Sequence, residues 1–264
     1  MVYVSFLARH IKYSSIKTYL AGIQYHAITR GFTTSICSMQ KLHYVLRGIR
    51  RHHAVIFHIT PKLPISITHL SILFDFTDRH YHRQDASMLQ TAMSFAFFGM
   101  LRSAEYCVSR TSVFVPADSM LVSDVSQVHD LLSICIKSSK TDPFRKGYVL
   151  RLASIVSRFC PVRAFNKFLQ FRLPASYPLF RFRDGSFLTR QRLSALIHSC
   201  FPRSNLNTHS FRIGGASAAA AAGIADSSIQ ILGRWSSDAF LRYLRFSSED
   251  ISRFHCRMSS SHSF

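Results

Sequence analysis

The sequence predicts a mainly α fold that contains one small antiparallel β-sheet, an α+β arrangement. Apolar residues recur at helical spacing through most of the 264 residues. In the middle of the chain, LLSICIK and YVLRL are rich in apolar and β-branched residues and flank the turn SSKTDPFRKG, which predicts a hairpin. Strands are expected over residues 120–125, 130–138 and 147–152. ITPKLPIS, residues 59–66, holds two prolines and predicts a linker.

Residues 1–58 are predicted to be entirely helical. Ser14 and Ser15 are candidate N-caps for the helix SIKTYLAGIQYHAITRG, which Gly31 would end. Its expected inward stripe consists of Ile16, Tyr19, Leu20 and Ile23. A second helix is expected from Ser38, with an inward stripe of Leu42, Val45, Leu46 and Ile49. Two short helices are too few to form a hydrophobic core of their own.

Beyond the linker, helices are expected over residues 66–79, 85–101 and 161–171. Ser66 suits the N-cap of the first, and Pro161 suits the first turn of the third. The remaining chain is predicted to be helical in four or five pieces. Its small-residue run GGASAAAAAG would allow close packing against a neighbouring element. A serine-rich end, residues 259–264, is predicted to be a disordered tail.

Composition restricts the partners. The formal net charge is +20, from 33 Lys and Arg against 13 Asp and Glu, and so large an excess predicts a polyanionic partner, most simply nucleic acid. A generally basic surface without a specific partner is the alternative. The six cysteines form no CxxC pair, which indicates reduced thiols rather than disulfides or a zinc site. No apolar run is long enough for a membrane span, so no membrane association is expected.

The segment Thr208–Arg245 carries the most specific chemistry. His209 and Arg212 are three residues apart and share one helix face, and an arginine fork suits a phosphate. Further along, Tyr243 lies between two arginines. A phenol can act as a nucleophile while guanidinium groups hold the phosphate that it attacks. The pattern therefore favours phosphoryl transfer, although a tyrosine in a helix is more often a packing residue.

This segment resembles the C-terminal signature of the tyrosine recombinases, or phage-integrase family. That signature is His-x-x-Arg, then Leu-Gly followed by His or Trp, then the nucleophilic tyrosine. GRWSSDAFLRYLR is most similar to recombinases of eukaryotic mobile elements of the Crypton or tyrosine-recombinase retrotransposon type. Upstream, FFGMLRSAEYC supplies the first arginine, Arg102, and the predicted hairpin supplies Lys140. The resemblance covers nearly the whole chain.

The resemblance implies a role for each of these residues. Tyr243 would attack a DNA phosphodiester and form a 3′-phosphotyrosyl link. Arg102 and Arg212 would hold the non-bridging oxygens, while His209 would handle a proton of the attacking or leaving oxygen. Lys140 would protonate the departing 5′-oxygen. No metal, ATP or other cofactor is expected, because the link conserves the bond energy and the arginines supply the positive charge.

Three assignments have open alternatives. Trp235 matches the family's His or Trp by residue type, but Arg234 matches it better by distance from the tyrosine. Packing in the core is a further alternative for Trp235. Lys137 and Lys146 are rivals of Lys140. Arg102 has an alternative structural role as an ion-pair partner of Glu105, which would also orient its guanidinium.

The resemblance also predicts the domains and partners. Residues 1–60 would form a partial core-binding domain with only the back half of the family's helices, and residues 61–258 the catalytic domain. The expected DNA-contacting face of the first domain consists of Lys41, Arg47, Arg50 and Arg51. The partners would be double-stranded DNA and further copies of the chain, which would be a tetramer on DNA and a monomer when free.

The leading function is therefore site-specific DNA recombination or integration for a mobile element. A catalytically idle DNA-binding descendant is the first alternative, and a type IB topoisomerase is the second. The expected location is the nucleus if the source is eukaryotic, and otherwise the cytoplasm.

Overall fold

The structure is a computed structural model that describes residues 2–33, 35–57, 61–139, 142, 144–171, 174–246 and 248–260, without the side chains of residues 37 and 257–260. The chain divides into two compact units, Met1–Pro61 and Lys62–Phe264. We call them the N-terminal unit and the C-terminal unit. Among the described residues, no helix combines the length and apolarity that crossing a membrane requires.

The N-terminal unit consists of three helices, α1 (Val2–His10), α2 (Tyr13–Thr29) and α3 (Gln40–Ile56). They do form a small core, contrary to the expectation from two helices, because α1 adds a third apolar face. The buried cluster contains Val4, Leu7, Ile16, Leu20 and Leu42.

Helix α2 differs from its prediction in two respects. It begins at Tyr13, before the predicted serine caps, and Lys12 at its N-cap makes no side-chain capping bond. Tyr19 and Ile23 from the expected inward stripe are exposed. The stripe is narrower than predicted since the small core covers little more than one side-chain row of α2.

A histidine joins the three helices of the N-terminal unit. His53 of α3 is buried; its Nδ1 accepts a hydrogen bond from the Tyr13 backbone N–H at 3.0 Å. Its Nε2 lies 2.9 Å from the Ala8 carbonyl oxygen. Since Nδ1 accepts, Nε2 carries the hydrogen and donates to that carbonyl. The neutral ring thus satisfies backbone groups at the end of α1 and the start of α2.

The C-terminal unit is built around helix α5. Its helices are α4 (Ile67–His80), α5 (Arg83–Phe98), α6 (Ser103–Tyr106), α7 (Pro161–Leu169), α8 (Arg190–Cys200), α9 (Ser210–Ala221), α10 (Asp226–Gly233) and α11 (Ser248–Ser260). Ser66 caps α4 as predicted, its hydroxyl accepting from the His69 N–H. Every residue of α5 from Ala86 to Phe97 is buried, so α5 is covered on all sides.

A three-stranded antiparallel sheet lies beside these helices, in the order β1 (Val125–Val128), β2 (Leu131–Ile136), β3 (Tyr148–Ala153). Paired residues of β2 and β3, such as Ile134 and Leu150, turn their side chains into the core. The second and third predicted strands are confirmed. The strand predicted at 120–125 is displaced, because a 3₁₀ turn occupies Val122–Asp124 and the strand starts at Val125.

Helix α9 makes backbone-to-backbone contact with its neighbours. A Cβ at Gly214 would overlap the carbonyl of Ile65, and one at Gly215 would overlap the carbonyl of Phe97. The small-residue run therefore serves close packing, as the sequence predicted. At the end of the chain, α11 extends to Ser260, into the segment predicted to be disordered; residues 261–264 lie outside the described residues.

Candidate active site

Arg102 is placed by the abrupt end of α5. After the helix ends, Met100 takes a left-handed φ of 45°, Leu101 is buried, and Arg102 becomes the N-cap of the short helix α6. Its Nη1 donates to Glu105 Oε1 at 2.9 Å and to Ser139 Oγ at 3.0 Å. The guanidinium is held on one edge, and no hydrogen bond within the described part of the chain occupies its Nη2.

Glu105 links Arg102 to a second arginine. Its carboxylate is 1% exposed and accepts from Arg234 Nη2 at 2.8 Å. Besides Arg102 Nη1, it also accepts from the backbone N–H of Arg102 at 2.9 Å and from the Ser139 hydroxyl at 3.0 Å. Burial alone would raise the pKa of the Glu105 carboxyl, but the charge of Arg234 and the hydrogen bonds from Arg102 hold that pKa below its ordinary value. Glu105 is therefore ionised at neutral pH.

Arg212 lies on α9 and is fully buried. Its Nη1 donates to the Met100 carbonyl, and its Nη2 donates to the Gly233 carbonyl at 2.6 Å. Its Nε is buried without a partner among the described residues. Burial, followed by the charges of Arg102 and Arg234, lowers the pKa of Arg212 to about 9. One carboxylate thus faces three guanidinium groups, and the excess positive charge favours an anion.

His209 precedes Arg212 by one helical turn and lies beside Tyr243, with ring centroids 5.2 Å apart. Burial lowers its pKa to about 4, and the charges of Lys62, Arg212 and Arg102 act in the same direction. The imidazole is therefore neutral at physiological pH. A neutral imidazole next to a phenol can accept a proton from it.

Tyr243 follows the 3₁₀ turn Asp238–Arg242. The tyrosine carbonyl accepts from the Ser217 hydroxyl at 3.0 Å, which ties the segment to α9. The phenol ring lies 5.3 Å from the Trp235 ring, centroid to centroid, and 6.0 Å from the guanidinium carbon of Arg212. Tyrosine, histidine and buried arginine thus form one cluster.

Trp235, rather than Arg234, is the residue that contacts Tyr243. Its ring also lies over the Arg212 guanidinium, at 4.1 Å from the ring centroid to the guanidinium carbon. Gly233 makes room for it, because a Cβ at that position would overlap the indole. Arg234 turns the other way, towards Glu105.

The predicted Lys140 lies outside the described residues. Its neighbour Ser139 contacts both Arg102 and Glu105, so the chain next to Lys140 reaches the site. Of its rivals, Lys137 forms an ion pair with Asp124 at 2.6 Å, and Lys146 is exposed.

The remaining predicted residues are in the N-terminal unit. Lys41, Arg47, Arg50 and Arg51 are all exposed on α3. Within the described residues, no three His, Cys, Asp or Glu side chains come together in a way that could hold a metal ion.

Sequence reasoning missed two serines and one ion pair at the site. Ser139 and Ser217 contact it through hydroxyl groups, and serines are too common for their spacing to have marked them. The bond between Arg234 and Glu105 joins residues 129 positions apart. Its only sequence signal was an arginine at the position where the resemblance expects His or Trp.

The fold is similar to that of solved recombinase structures. The Tn1549 transposon integrase in complex with transposon right end DNA has a TM-score of 0.63 and 12% identity, over 98% of this chain and 84% of that one. XerA recombinase has a TM-score of 0.54 and 14% identity, over 94% and 83% of the two chains. XerH site-specific recombinase bound to its difH substrate has a TM-score of 0.51 and 17% identity, over 94% and 70%.

No protein-family model and no curated protein sequence matches the chain. At identities this low, the structural similarity establishes the architecture alone. The chain has the fold of the tyrosine recombinases and integrases.

Proposed function

We propose that this protein is a site-specific DNA recombinase or integrase that cleaves and rejoins double-stranded DNA through a tyrosine. The observation that carries the proposal is the single cluster of Tyr243, His209 and Arg212, with Arg102 held nearby by Glu105. A nucleophile, a neutral proton acceptor and fixed cations are the groups that metal-independent phosphoryl transfer needs.

In the proposed step, the Tyr243 oxygen attacks the phosphorus of a DNA phosphodiester and forms the 3′-phosphotyrosyl bond. The bond from phosphorus to the 5′-oxygen breaks. The phenolic proton passes to His209, which is neutral and can accept it. Lys140 supplies a proton to the 5′-oxygen, which leaves as a hydroxyl. Rejoining is the reverse attack by a 5′-hydroxyl, and no ATP is consumed.

The buried Arg212 and the partly buried Arg102 would together hold the non-bridging oxygens of the phosphate. Arg212 uses one N–H of each Nη on a carbonyl, which leaves one N–H on each Nη for an anion. Arg102 keeps its Nη2 for the same purpose. Preorganised donors of this kind stabilise the transition state because they need not reorient as charge develops.

Trapping the covalent adduct tests the proposal. The protein is incubated with a library of end-labelled duplexes of randomised sequence, each nicked one nucleotide from the centre, so that cleavage releases a short fragment and rejoining fails. A labelled protein band on a denaturing gel, formed equally in excess EDTA, is the expected result. A wild-type protein that binds the library but forms no band supports the idle DNA-binding alternative. A band that needs added Mg²⁺ overturns the metal-independent mechanism.

We also propose the type of genetic element that encodes the protein. The segment GRWSSDAFLRYLR supports a eukaryotic mobile element of the Crypton or tyrosine-recombinase retrotransposon type, and such a protein would work in the nucleus. Terminal repeats or a reverse transcriptase gene beside the coding sequence would identify the element type. Imaging of a fluorescent fusion would test the location.

We also propose that the protein acts as a tetramer on DNA and is a monomer when free. The support lies in α11, where Ile251 is 45% exposed and Phe254 is half-buried against Phe246. An apolar face so little covered favours a groove on a neighbouring copy. Deleting residues 247–264 should spare DNA binding and prevent the multimer, as measured by light scattering. An unchanged multimer would contradict this role for α11.

A further inference from the structure

Arg234 has a conformation that asks for an explanation. It follows the last residue of α10 and takes a left-handed φ of 56°, which is uncommon outside glycine, asparagine and aspartate. Its side chain is 9% exposed. Burying a guanidinium is costly unless it is paired and hydrogen-bonded, so both the backbone and the side chain are held in an unfavourable state by their partners.

Those partners take up the donors of the fork. Nη1 donates to the carbonyls of Gly99 at 3.1 Å and Leu232 at 3.2 Å. Nη2 donates to the Met100 carbonyl at 3.3 Å and to Glu105 Oε2 at 2.8 Å. A guanidinium has four N–H bonds on its Nη atoms, and all four have acceptors. The fifth, on Nε, is buried and has no partner among the described residues. The four Nη donors of Arg234 are therefore all directed at protein acceptors.

Two of these four acceptors also support the arginines proposed to hold the phosphate. Glu105 carries Arg102 on its other oxygen, and the Met100 carbonyl accepts from Arg212. A single guanidinium thus fixes the carboxylate that orients Arg102 and the turn that orients Arg212. Without it, Glu105 Oε2 would keep only the backbone N–H of Arg102.

We infer that Arg234 is a positioning residue for cleavage, which sets the orientation of Arg102 through Glu105 and that of Arg212 through the Met100 carbonyl. The inference rests on the proposed function. The place of Arg234 in the sequence had suggested that it contacts the phosphate. The inference instead assigns it the positioning of the arginines that do. A lysine in its place would keep the charge but lose the fork that spans these acceptors.

The test separates binding from cleavage. Arg234→Lys and Glu105→Gln are compared with wild type in single-turnover adduct formation on the nicked library and in equilibrium binding of the same duplexes. We expect each variant to form the adduct 10- to 100-fold more slowly, an effect of roughly 1.4 to 2.7 kcal/mol on the barrier. The dissociation constant should stay within about threefold of wild type.

The double variant identifies the link. Because both substitutions break the same chain of contacts, Arg234→Lys with Glu105→Gln should be no slower than the slower single variant. Arg158→Lys is the matched control, since Arg158 forms an ion pair with Asp75 at 2.5 Å on the surface of the same unit. That variant should cleave at the wild-type rate.

The failures are distinguishable. If wild type forms no adduct, the proposed function fails and takes the positioning role with it. If wild type cleaves and both single variants cleave at the wild-type rate, Arg234 is not a positioning residue. Multiplied defects in the double variant would show that the two residues act separately and would overturn the link. Thermal unfolding of each variant shows whether it is folded at the assay temperature. If Arg234→Lys is unfolded there, the test rests on the isosteric Glu105→Gln. A wild-type rate of adduct formation in that variant then overturns the inference by itself.

Discussion

The arginines of helix α3 and those of the candidate active site lie in opposite surroundings. On α3 of the N-terminal unit, Arg47, Arg50 and Arg51 are exposed. In the C-terminal unit, Arg212 is fully buried, and Arg102 and Arg234 are 18% and 9% exposed. Exposed arginines attract a polyanion through a field that salt screens, whereas buried ones need fixed partners and then act at short range. We expect the first kind to control affinity and the second to control chemistry.

The largest effect should come from removing the proposed nucleophile, the phenolic oxygen of Tyr243. Tyr243→Phe removes one oxygen and keeps the ring that packs against His209 and Trp235. Adduct formation on the nicked library should be abolished, with binding within about twofold of wild type. Tyr177→Phe is the control, at a partly exposed tyrosine of the same unit. Residual adduct in the Tyr243 variant would mean that another residue is the nucleophile.

Arg212→Lys should have the next largest effect. A lysine cannot span the carbonyls of Met100 and Gly233 and also present two donors to a phosphate. The rate of adduct formation should fall by about 10²- to 10³-fold. The salt dependence of binding should not change, because this charge is buried. An altered salt dependence of binding with an unchanged rate of adduct formation would mean that Arg212 controls affinity rather than chemistry.

The exposed arginines should show the complementary behaviour. In Arg47→Ala, Arg50→Ala, Arg51→Ala, up to three phosphate contacts are lost. The slope of log K against log salt should become shallower by about 2.7 if all three contact phosphates. The affinity should fall by the same factor for every DNA sequence. When protein saturates the DNA, the rate of adduct formation should stay at the wild-type value. A slope equal to that of wild type would show that this face of α3 does not contact DNA.

The smallest effect concerns His209 and needs no DNA. Its folded-state pKa of about 4 lies below the ordinary value of 6.5. Between these values the unfolded chain binds a proton that the folded chain does not, so stability is lost as the pH falls from about 6.5 towards 4. His209→Gln should lose less stability over that range, as followed by thermal unfolding. Equal losses in both proteins would mean that the imidazole protonates without cost in the folded state.

Capping residues and apolar periodicity correctly predicted the elements whose boundaries they determine. Helix α4, with its Ser66 cap, and strands β2 and β3 lie where sequence placed them. The start of α2 and the position of β1 were wrong, since neither has a side-chain signal strong enough to fix its boundary. The fold class was also predictable, because the helical spacing and the hairpin between the two strands are both visible in the sequence.

The site was predictable only in part. His209 and Arg212 were grouped because three-residue spacing on a helix dictates a shared face. Tyr243 was noted because it lies between two arginines, and the resemblance added Arg102. The partner of Arg234 was not predictable, as no local rule links α10 to a carboxylate on α6. The Arg234 side chain points towards Glu105 because the backbone at Arg234 is left-handed. The residue type arginine does not predict such a backbone conformation.

The glycines of α9 have a consequence for how the protein tolerates change. Gly214 and Gly215 sit directly on the carbonyls of Ile65 and Phe97, and backbone cannot yield as a side chain can. The height and rotation of α9, and with it the place of His209 and Arg212, are therefore restricted by main-chain contact as well as by the buried Phe211 of α9 itself. Substitutions among the phenylalanines outside α9 can then alter the melting temperature while the main-chain contacts hold the reaction geometry, so that evolution can revise much of the interior separately from the chemistry.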